Sequence, residues 1–377
     1  MSGPLAGMRF VEMAGIGPAP FAAMVLADLG AEGIRIESPR PGLMLGDPMR
    51  DITRRGRAGV VVDVRADAGR ELVFDLVAQS HVLIEGFRPG VMERLGLSPD
   101  ACLARRPSLV LGRMTGWGQE GPWARTAGHD LDYIAVAGVL AHIARRDQPP
   151  TPPLNLVGDY GGGAMLLLVG VLAALWHAER TGQGQVVDAA MVDGAALLMS
   201  LFHSMSATGM WREEAGVNLL DSGTPFYDAY RTRDGKWIAI GCLEPQFYAE
   251  WLRLAGLDGE DLPGQFDLEG WPVLRQRFAE VVGTRTRDEW AALADGSDAC
   301  VAPVLTMAEA PQHPHLAQRG TFVEVDGVMQ AAPAPRFSLT PAGEPGRVRA
   351  SDRGALADWG VDSARIAALA DLGVLPD

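Results

Sequence analysis

The first half of the chain alternates short apolar runs with longer segments in which apolar residues recur at helical spacing. Strands are predicted in RFVEM, GIRIE, GVVVDV, HVLIEG and SLVLGRM, and helices in FAAMVLADLG and DAGRELVFDLVAQ. Such alternation is typical of a parallel sheet with helices on its faces, whose ligands bind beyond the carboxyl ends of the strands. The pattern therefore predicts an α/β, nucleotide-fold-like (Rossmann-like) domain.

The most apolar segment lies in the middle of the chain, from Ala164 to Ala178. It is too short to span a bilayer comfortably, so we expect a helix buried in a protein core. A short strand feeding a long helix is predicted in GQGQVVDAAMVDGAALLMSLFHSM.

From about Gly223 the pattern changes, and FYDAYRTRDGKWIAIGC predicts a β-hairpin with a turn at Asp234 and Gly235. Helices are expected next in EPQFYAEWLRLAG, WPVLRQRFAEVVG and TRDEWAALAD. The tail from Pro311 is proline-rich and loop-like, and a last helix is predicted in DSARIAALADLG.

These patterns predict two domains, as the length of 377 residues allows. A large domain spans 1–190 and is completed by 325–377. A linker-helix region covers 191–222, a smaller α+β domain covers 223–310, and 311–324 returns the chain to the large domain.

Composition limits the function classes. Hydrophobic residues make up 47% of the chain and charged residues 21%, as in an ordinary globular protein. A net charge of −14 disfavours nucleic acid as a partner, because binding it usually needs a basic face. Cys102, Cys242 and Cys300 show neither a disulfide framework nor zinc spacing.

No secretory signal pattern opens the chain, and LGVLPD is not a peroxisomal ending. We therefore expect a cytoplasmic protein. The short apolar segment predicts no membrane insertion, and the cysteine spacing predicts no metal site.

One carboxylate, Asp159, lies among glycines in NLVGDYGGGAM, before the apolar segment. Glycines allow a ligand to approach the backbone, and exposed N–H groups at a helix start favour an anion or a developing oxyanion. Taken alone, the plainer interpretation is favoured, namely an N-capping aspartate with glycines for tight helix packing.

Two further residues could carry acid–base chemistry. His129 lies in TAGHDLDY, where Asp130 and Asp132 could orient it or could cap a helix. Glu244 lies in GCLEPQFY, where a helix-start acid favoured by the helix dipole is the plainer interpretation.

Arginines cluster around the predicted strand ends. They are Arg54, Arg55, Arg57, Arg65, Arg88 and Arg94. Solvated surface positions and phosphate contacts are equally compatible with this placement. The Gly15-Ile16-Gly17 sequence after the first strand invites a dinucleotide interpretation, but the third glycine of that fingerprint is missing.

A series of motifs resembles the class III CoA-transferase superfamily, and more narrowly its α-methylacyl-CoA racemase branch. The motifs occur in order as GPLAGMRFVEMAGIGPAPFAAMVLADLGAEGIRIE, RMTGWGQEGP, AGHDLDY, NLVGDYGGG, GQGQVVDAAMVDG and EPQFY. The resemblance covers nearly the whole chain, from Pro4 to PAPRFS around Arg336.

The resemblance implies an isomerase of lipid metabolism that epimerises 2-methyl-branched acyl-CoA thioesters at C2. Two acid–base groups must flank that carbon, one to remove a proton and one to return a proton to the opposite face. The matching residues are His129 and Asp159, and Glu244 matches the glutamate that pairs with the histidine. The resemblance also implies an interlocked homodimer and no cofactor, since coenzyme A arrives as part of the substrate.

Stabilisation of the enolate oxygen is expected from backbone N–H groups near Asp159 and the glycines after it, which would also let the thioester come close. Burial and the helix start act in opposite directions on the pKa of Asp159.

Coenzyme A contacts carry over from the resemblance at segments that follow strands. They match Val62, Asp63, Val64, Arg65, Gly86, Phe87, Arg88 and Arg94, with further contacts at Gly128, Asp130, Tyr133 and Gly161. Ser38 stands where near relatives carry an arginine before Pro39, so Arg40 or the Arg54–Arg57 cluster is expected to substitute.

Two other functions fit the same motifs. A CoA-transferase of this family would use Asp159 as a nucleophile that forms a covalent acyl intermediate. A non-catalytic acyl-CoA-binding protein would tolerate changes at Asp159 and His129 with loss of affinity alone. The histidine and glutamate favour the racemase. The acyl chain stays open, with Met205, Met210 and Trp211 as candidate contacts or plain core residues.

Overall fold

The computed structural model describes residues 3–40, 42 and 46–376. The chain divides into two compact units, each built from segments distant in sequence. The large unit comprises Met1–Ala137, Leu154–Leu198 and Gln318–Asp377, and the small unit comprises Gly138–Pro153 and Met199–Ala317.

The strands, in chain order, are β1 (Arg9–Met13), β2 (Glu32–Glu37), β3 (Arg57–Val61), β4 (Val82–Glu85), β5 (Val110–Thr115), β6 (Gln185–Ala190), β7 (Tyr227–Arg231), β8 (Trp237–Gly241), β9 (Val301–Pro303), β10 (Phe322–Val325) and β11 (Val328–Ala331). The predicted strands of the first half are all confirmed, with ends displaced by up to three residues.

The α-helices are α1 (Pro18–Asp28), α2 (Asp67–Ala78), α3 (Val91–Arg94), α4 (Pro99–Arg105), α5 (Asp130–Val136), α6 (Leu166–Thr181), α7 (Met191–Leu198), α8 (Ser200–Ala207), α9 (Pro245–Ala255), α10 (Trp271–Val282), α11 (Arg287–Ala294), α12 (Pro314–Arg319), α13 (Ala355–Asp358) and α14 (Ser363–Asp371). A π-helix, Leu156–Met165, leads directly into α6. Short 3-10 turns occur at Pro48–Arg50, Ile52–Arg54, Leu140–His142 and Ala310–Gln312.

The large unit is built on a six-stranded sheet in the order β3-β2-β1-β4-β5-β6. Every neighbouring pair is parallel, which confirms the predicted α/β architecture. The chain moves outward from β1 in one direction to β3 and then in the other direction to β6. The topological switch point therefore lies between β1 and β4, where sheets of this type open a ligand crevice beyond the carboxyl ends of the strands.

Both faces of this sheet are covered by apolar side chains, because successive residues of a strand point to opposite faces. On β1, Val11 faces the layer formed by α2 and the C-terminal helices, whereas Phe10 faces the layer formed by α1 and α6. Trp359 and Leu369 belong to the first layer, so the last residues of the chain complete the core of the large unit.

The helix at the most apolar segment differs from its prediction. The π-helix and α6 form one continuous helical stretch, Leu156–Thr181, that is long and apolar enough to cross a membrane by length and composition alone. Leu167 and Val171 are buried against the sheet, but only 44% of the most apolar window is buried. Val169 and Trp176 are 62% and 66% exposed. The segment therefore packs one face against the sheet and leaves apolar side chains exposed on the other face, whereas the sequence predicts a fully buried helix.

The long helix predicted after β6 is interrupted at Met199 and forms α7 and α8. Helix α7 packs backbone to backbone on the π-helix: a Cβ at Gly194 would lie 1.8 Å from the carbonyl oxygen of Gly162. A Cβ at Gly162 would in turn lie 2.6 Å from the amide nitrogen of Ala195. Two glycines thus set the separation of these elements.

The small unit contains the predicted hairpin, in which β7 pairs antiparallel with β8, and β9 adds a third strand. Its turn closes at Gly235, which has a φ of 77° that glycine adopts without steric cost. Helices α9, α10 and α11 bury Trp251, Phe278 and Trp290 in the core of this unit.

Residues 138–153 lie in the small unit, whereas the sequence places them within the large domain 1–190. One contact of this segment within the small unit is an ion pair, in which Arg145 makes two hydrogen bonds of 2.8 and 2.6 Å to the carboxylate of Asp228 on β7. The tail after Pro311 also contains an antiparallel hairpin, β10–β11, where the sequence predicts loop.

Candidate active site

The carboxyl ends of β1 and β4 bring two glycine-containing loops together. Gly17, in the loop after β1, has a φ of 76°, and a Cβ there would lie 3.5 Å from Oδ2 of Asp159. Gly86 follows β4, and a Cβ there would lie 3.1 Å from the Cβ of Ala19 at the start of α1. Asp159 therefore lies beside the loop that follows β1, one of the two strands that flank the topological switch point.

Asp159 is half-buried in the first turn of the π-helix. Burial raises its pKa, and the negative charge of Asp130 adds to the increase, while a hydrogen bond from Asn155 and the charge of His129 oppose it. The Asn155 amide donates to Oδ2 over 3.1 Å. Burial therefore outweighs the other influences, and the raised pKa suits a group that both takes and returns a proton.

His129 immediately precedes α5, with its side chain exposed. Its backbone N–H donates to the carboxylate of Asp132 over 2.9 Å, which fixes the chain at the helix start. Tyr133, one turn further, donates its hydroxyl to the carbonyl of Gly128, and its ring meets Trp117 edge-on at 4.9 Å. Burial raises the pKa of Tyr133 to about 12, so it stays neutral at physiological pH.

Asp130 joins α5, which starts directly after His129, to the π-helix that carries Asp159. Its Oδ1 accepts the backbone N–H of Asp159 over 2.7 Å, although the two residues are 29 positions apart. The structure thus brings His129 and Asp159 into one site of the large unit. Glu244 lies in the small unit as the exposed residue directly before α9, and its negative charge raises the pKa of Cys300, after burial as the larger cause.

Two of the three glycines after Asp159 are buried in contacts between helices and do not face a ligand. Gly162 and Gly163 are buried, and Cβ atoms there would collide with Ala195 of α7 and with the side chain of Met191. They serve close helix packing, as the plainer interpretation holds. Gly161 alone of the three is partly exposed.

The backbone N–H of Asp159 is also not free for an enolate oxygen, because Asp130 accepts it. Stabilisation of the enolate by other backbone N–H groups near Asp159 stays a prediction.

The segments predicted to hold coenzyme A lie at the carboxyl ends of their strands. Val62, Asp63, Val64 and Arg65 follow β3, where the Asp63 carboxylate accepts the N–H of Arg65 over 3.0 Å. Gly86, Phe87 and Arg88 follow β4, and Arg88 lies close enough to Tyr133 to influence its ionisation. Arg65, Arg88, Arg94 and Arg40 are exposed, and in the described part of the chain their guanidinium groups form no ion pair.

A buried ion-pair network fixes the segment that follows β4. Glu85 accepts the N–H of Phe87 over 2.7 Å and pairs with Arg113 over 2.7 Å. Arg113 also bonds Glu93 of α3 over 2.9 Å. These contacts fix the loop that carries Arg88 and the short helix that carries Arg94.

The Arg54–Arg57 cluster does not supply a phosphate site, so this expectation is corrected. Arg55 is buried against Asp28, with bonds of 3.1 and 2.5 Å, and Arg57 is buried against Glu12 at 2.7 Å. Arg54 is bonded to Glu37. Buried carboxylates neutralise these guanidinium groups and leave none of them facing solvent as a free cation.

The residues suggested for the acyl chain separate in the small unit. Met205 and Trp211 are buried, and Trp211 donates its indole N–H to Nδ1 of His142 over 3.3 Å. Met210 is 66% exposed. Among the described residues, no group of three or more histidines, cysteines, aspartates or glutamates is placed to hold a metal ion.

The sequence did not indicate a site role for Asn155 or Gly158, and it suggested only a dinucleotide interpretation for Gly17. The spacing of Asn155 and Asp159, four residues apart at a helix start, is the one local signal for their contact. The proximity of Gly17 to Asp159 depends on the parallel sheet and has no local signal.

A parallel sheet in this strand order, with a half-buried carboxylate beside the loop after its first strand, is typical of α/β proteins that bind ligands beyond the strand ends. The chain belongs to CoA-transferase family III, whose model matches residues 5–352.

Similar proteins include the α-methylacyl-CoA racemases of Mus musculus, 42% identical, and Homo sapiens, 41% identical; each match covers 90% of this chain and 87% of the relative. The succinyl-CoA–L-malate CoA-transferase alpha subunit of Chloroflexus aurantiacus is 32% identical over 90% of this chain and 84% of that protein.

Solved structures agree with the fold. A CAIB/BAIF family protein from Brucella suis has a TM-score of 0.81 and 25% identity, and covers 96% of this chain and 100% of that one. A hypothetical protein from Mycobacterium tuberculosis has a TM-score of 0.76 and 28% identity, with 94% and 99% covered.

Proposed function

We propose that this protein is an isomerase that epimerises 2-methyl-branched acyl-CoA thioesters at C2. The observation that carries the proposal is the tethered pair of acid–base residues, His129 and Asp159, the second of which lies beside the loop that follows β1. The racemases of mouse and human, at 42% and 41% identity over 90% of the chain, support the same function.

The chemistry follows from what two flanking groups can do. One of His129 and Asp159, in its basic form, removes the proton at C2, and the electron pair passes into the thioester carbonyl as an enolate. The other, in its protonated form, returns a proton to the opposite face, and the carbonyl re-forms. Each turnover thus leaves the two residues in exchanged protonation states. A raised pKa keeps Asp159 available in both forms.

We also propose, from the family resemblance, that Glu244 supports His129 and that Arg65, Arg88 and Arg94 contact coenzyme A. The exposure of these three guanidinium groups supports the second assignment, because phosphates are bound well by arginines without a competing carboxylate. Gly128, Asp130, Tyr133 and Gly161 stay predicted contacts. No cofactor beyond the coenzyme A of the substrate is proposed.

The second candidate function is transfer of CoA between carboxylic acids through a covalent aspartyl intermediate on Asp159. Membership of CoA-transferase family III and 32% identity to a Chloroflexus CoA-transferase subunit favour it. A transferase needs Asp159 ionised as a nucleophile. A transferase has no need of a second base, so the presence of His129 and Glu244 makes this candidate the weaker one.

Deuterium exchange distinguishes the two functions. One epimer of a 2-methylacyl-CoA is incubated with the protein in heavy water without an acceptor acid. Racemisation is expected to place deuterium at C2 as the epimer ratio moves toward equality, and His129→Ala and Asp159→Ala should each abolish it. His315→Ala, at an exposed histidine of α12, is the matched control. Retention of the original proton, with CoA transfer on addition of a free carboxylic acid, would establish the transferase instead.

We further propose a cytoplasmic homodimer. Exposed apolar side chains of the large unit support the dimer, because such residues often mark a protein interface. They are Val169 and Trp176 on α6, Val186 on the edge strand β6 and Leu197 on α7. Sedimentation equilibrium at several concentrations measures the assembly. A mass of one chain, 40.1 kDa, at all concentrations would contradict it.

A further inference from the structure

Asp130 is a buried carboxylate to which the two-base reaction itself assigns no role. The residue is 6% exposed and occupies the first position of α5, directly after His129. Its Oδ1 accepts the N–H of Asp159 over 2.7 Å. The Asp130 side chain therefore links the start of α5, next to His129, to the backbone of Asp159.

The fit around this bond is tight. A Cβ at Gly158, the residue before Asp159, would lie 2.7 Å from Oδ1 and 2.9 Å from Cγ of Asp130. The carboxylate thus lies directly on the chain that leads to Asp159, and only glycine leaves room for it. Such close contact limits the positions that Asp159 can adopt relative to His129.

The second oxygen of Asp130, Oδ2, is buried and has no hydrogen-bond partner in the described part of the chain. A buried carboxylate oxygen without a partner is costly, so the position of this one calls for an explanation. The titratable groups that influence or face Asp159 are His129, Asp130 and Tyr133, and of these only His129 can carry positive charge. The charge of Asp130 therefore opposes ionisation of Asp159, whereas the Asn155 hydrogen bond and the charge of His129 favour it.

We propose that Asp130 is a positioning residue that sets the spacing of the two acid–base groups and, by its negative charge, favours the protonated form of Asp159. The inference rests on the proposed function, in which Asp159 must donate a proton in one direction of the reaction. The direction of the pKa shift of Asp159, to which Asp130 contributes, agrees with it.

Two substitutions separate the two effects. Asp130→Asn keeps an oxygen that can accept the Asp159 N–H but removes the charge, whereas Asp130→Ala removes both. Asp100→Asn is the matched control, because it removes one exposed acid from the first turn of α4 in the same unit. Thermal unfolding establishes that each variant is folded.

The first measurement is a ¹³C NMR titration of protein labelled at aspartate carboxyl carbons, with the Asp159 signal identified by its loss in Asp159→Asn. We expect the Asp159 midpoint to move to lower pH in Asp130→Asn and to stay unchanged in Asp100→Asn. The second measurement is kcat for C2 exchange. Asp130→Ala should lose about a hundredfold, the usual consequence of a misplacement near 1 Å, and Asp130→Asn should recover most of that loss.

An Asp159 midpoint that is the same in Asp130→Asn and in the wild type would refute the role of the charge. A folded Asp130→Ala variant with wild-type kcat would refute the role of the tether. The titration does not depend on the reaction catalysed. If the wild-type protein exchanges no deuterium at C2, the proposed function fails, while the titration still decides whether Asp130 controls the protonation of Asp159.

Discussion

The contact between Gly194 of α7 and Gly162 of the π-helix makes a quantitative test of how packing positions the site. A Cβ at Gly194 would lie 1.8 Å from the carbonyl oxygen of Gly162, and ordinary contact begins near 3.4 Å. Gly194→Ala therefore requires the two backbones to separate by about 1.6 Å. No side chain can rotate away to relieve the overlap, since the three nearest atoms all belong to the backbone of Gly162.

Overpacking of this kind costs about 1–3 kcal/mol of the free energy of unfolding, occasionally more. The displaced segment carries Asp159 three residues before Gly162, so the acid–base pair is misplaced as well. A misplacement near 1 Å reduces kcat about a hundredfold. We expect Gly194→Ala to show both losses, in urea unfolding and in the deuterium-exchange assay.

Gly264→Ala is the control, because a Cβ at Gly264 has no neighbour within 4 Å and the residue lacks a positive φ. It should lie within about 0.5 kcal/mol of the wild type, as exposed substitutions usually do. A Gly194→Ala protein with the stability and kcat of the Gly264→Ala control would show that the backbones are not packed as the structure has them.

Three further predictions concern charge and hydrogen bonding. Asn155→Leu removes the hydrogen bond that favours the ionised form of Asp159, so the pKa of Asp159 should rise. The acid limb of the kcat/KM profile, measured in the direction in which Asp159 is the base, should then move to higher pH. An unmoved limb would contradict the contact. Asp159→Asn should stabilise the protein against heat at neutral pH. The pKa of Asp159 is raised in the folded state, so wild-type stability falls as pH rises from the ordinary aspartate value through the raised one. The gain from Asp159→Asn should therefore fade as pH falls towards 3.8. Equal gains at neutral pH and near pH 3.8 would contradict the buried charge. Arg113→Met leaves Glu85 buried without its cation, which should cost about 3–5 kcal/mol and raise KM for the acyl-CoA through the loop at Phe87. Arg105→Met, which removes an exposed pair with Glu71, should cost no more than about 1 kcal/mol, and equal losses would refute the special role of the buried network.

The strands and helices of the large unit could be predicted because their signals are local. Alternating apolar runs such as those around Val11 and Leu83 specify buried strands, and the strand–helix alternation restricts the connections to a parallel sheet. Element ends, the interruption at Met199 and the β10–β11 hairpin were not predicted, since turn geometry and packing against distant segments determine them.

The candidate chemistry was also visible locally, because His129 and Asp159 each lie in a short motif at a helix start. Their relation was not visible without the family resemblance. The bond from the Asp159 N–H to Asp130 joins residues 29 positions apart, and the proximity of Gly17 to Asp159 depends on the crossover from β1.

By itself, the sequence determined the class of fold, the positions of most strands and helices, and the residue types available at the strand ends. Only the tertiary structure decided which of those residues are free to act. Arg55 and Arg57 look like phosphate ligands until Asp28 and Glu12, 27 and 45 positions away, neutralise them. The direction of the Asp159 pKa shift likewise depends on burial and on a distant carboxylate. Charge and proton affinity depend on three-dimensional neighbours, and hydrophobic periodicity specifies the elements but not which of their side chains meet.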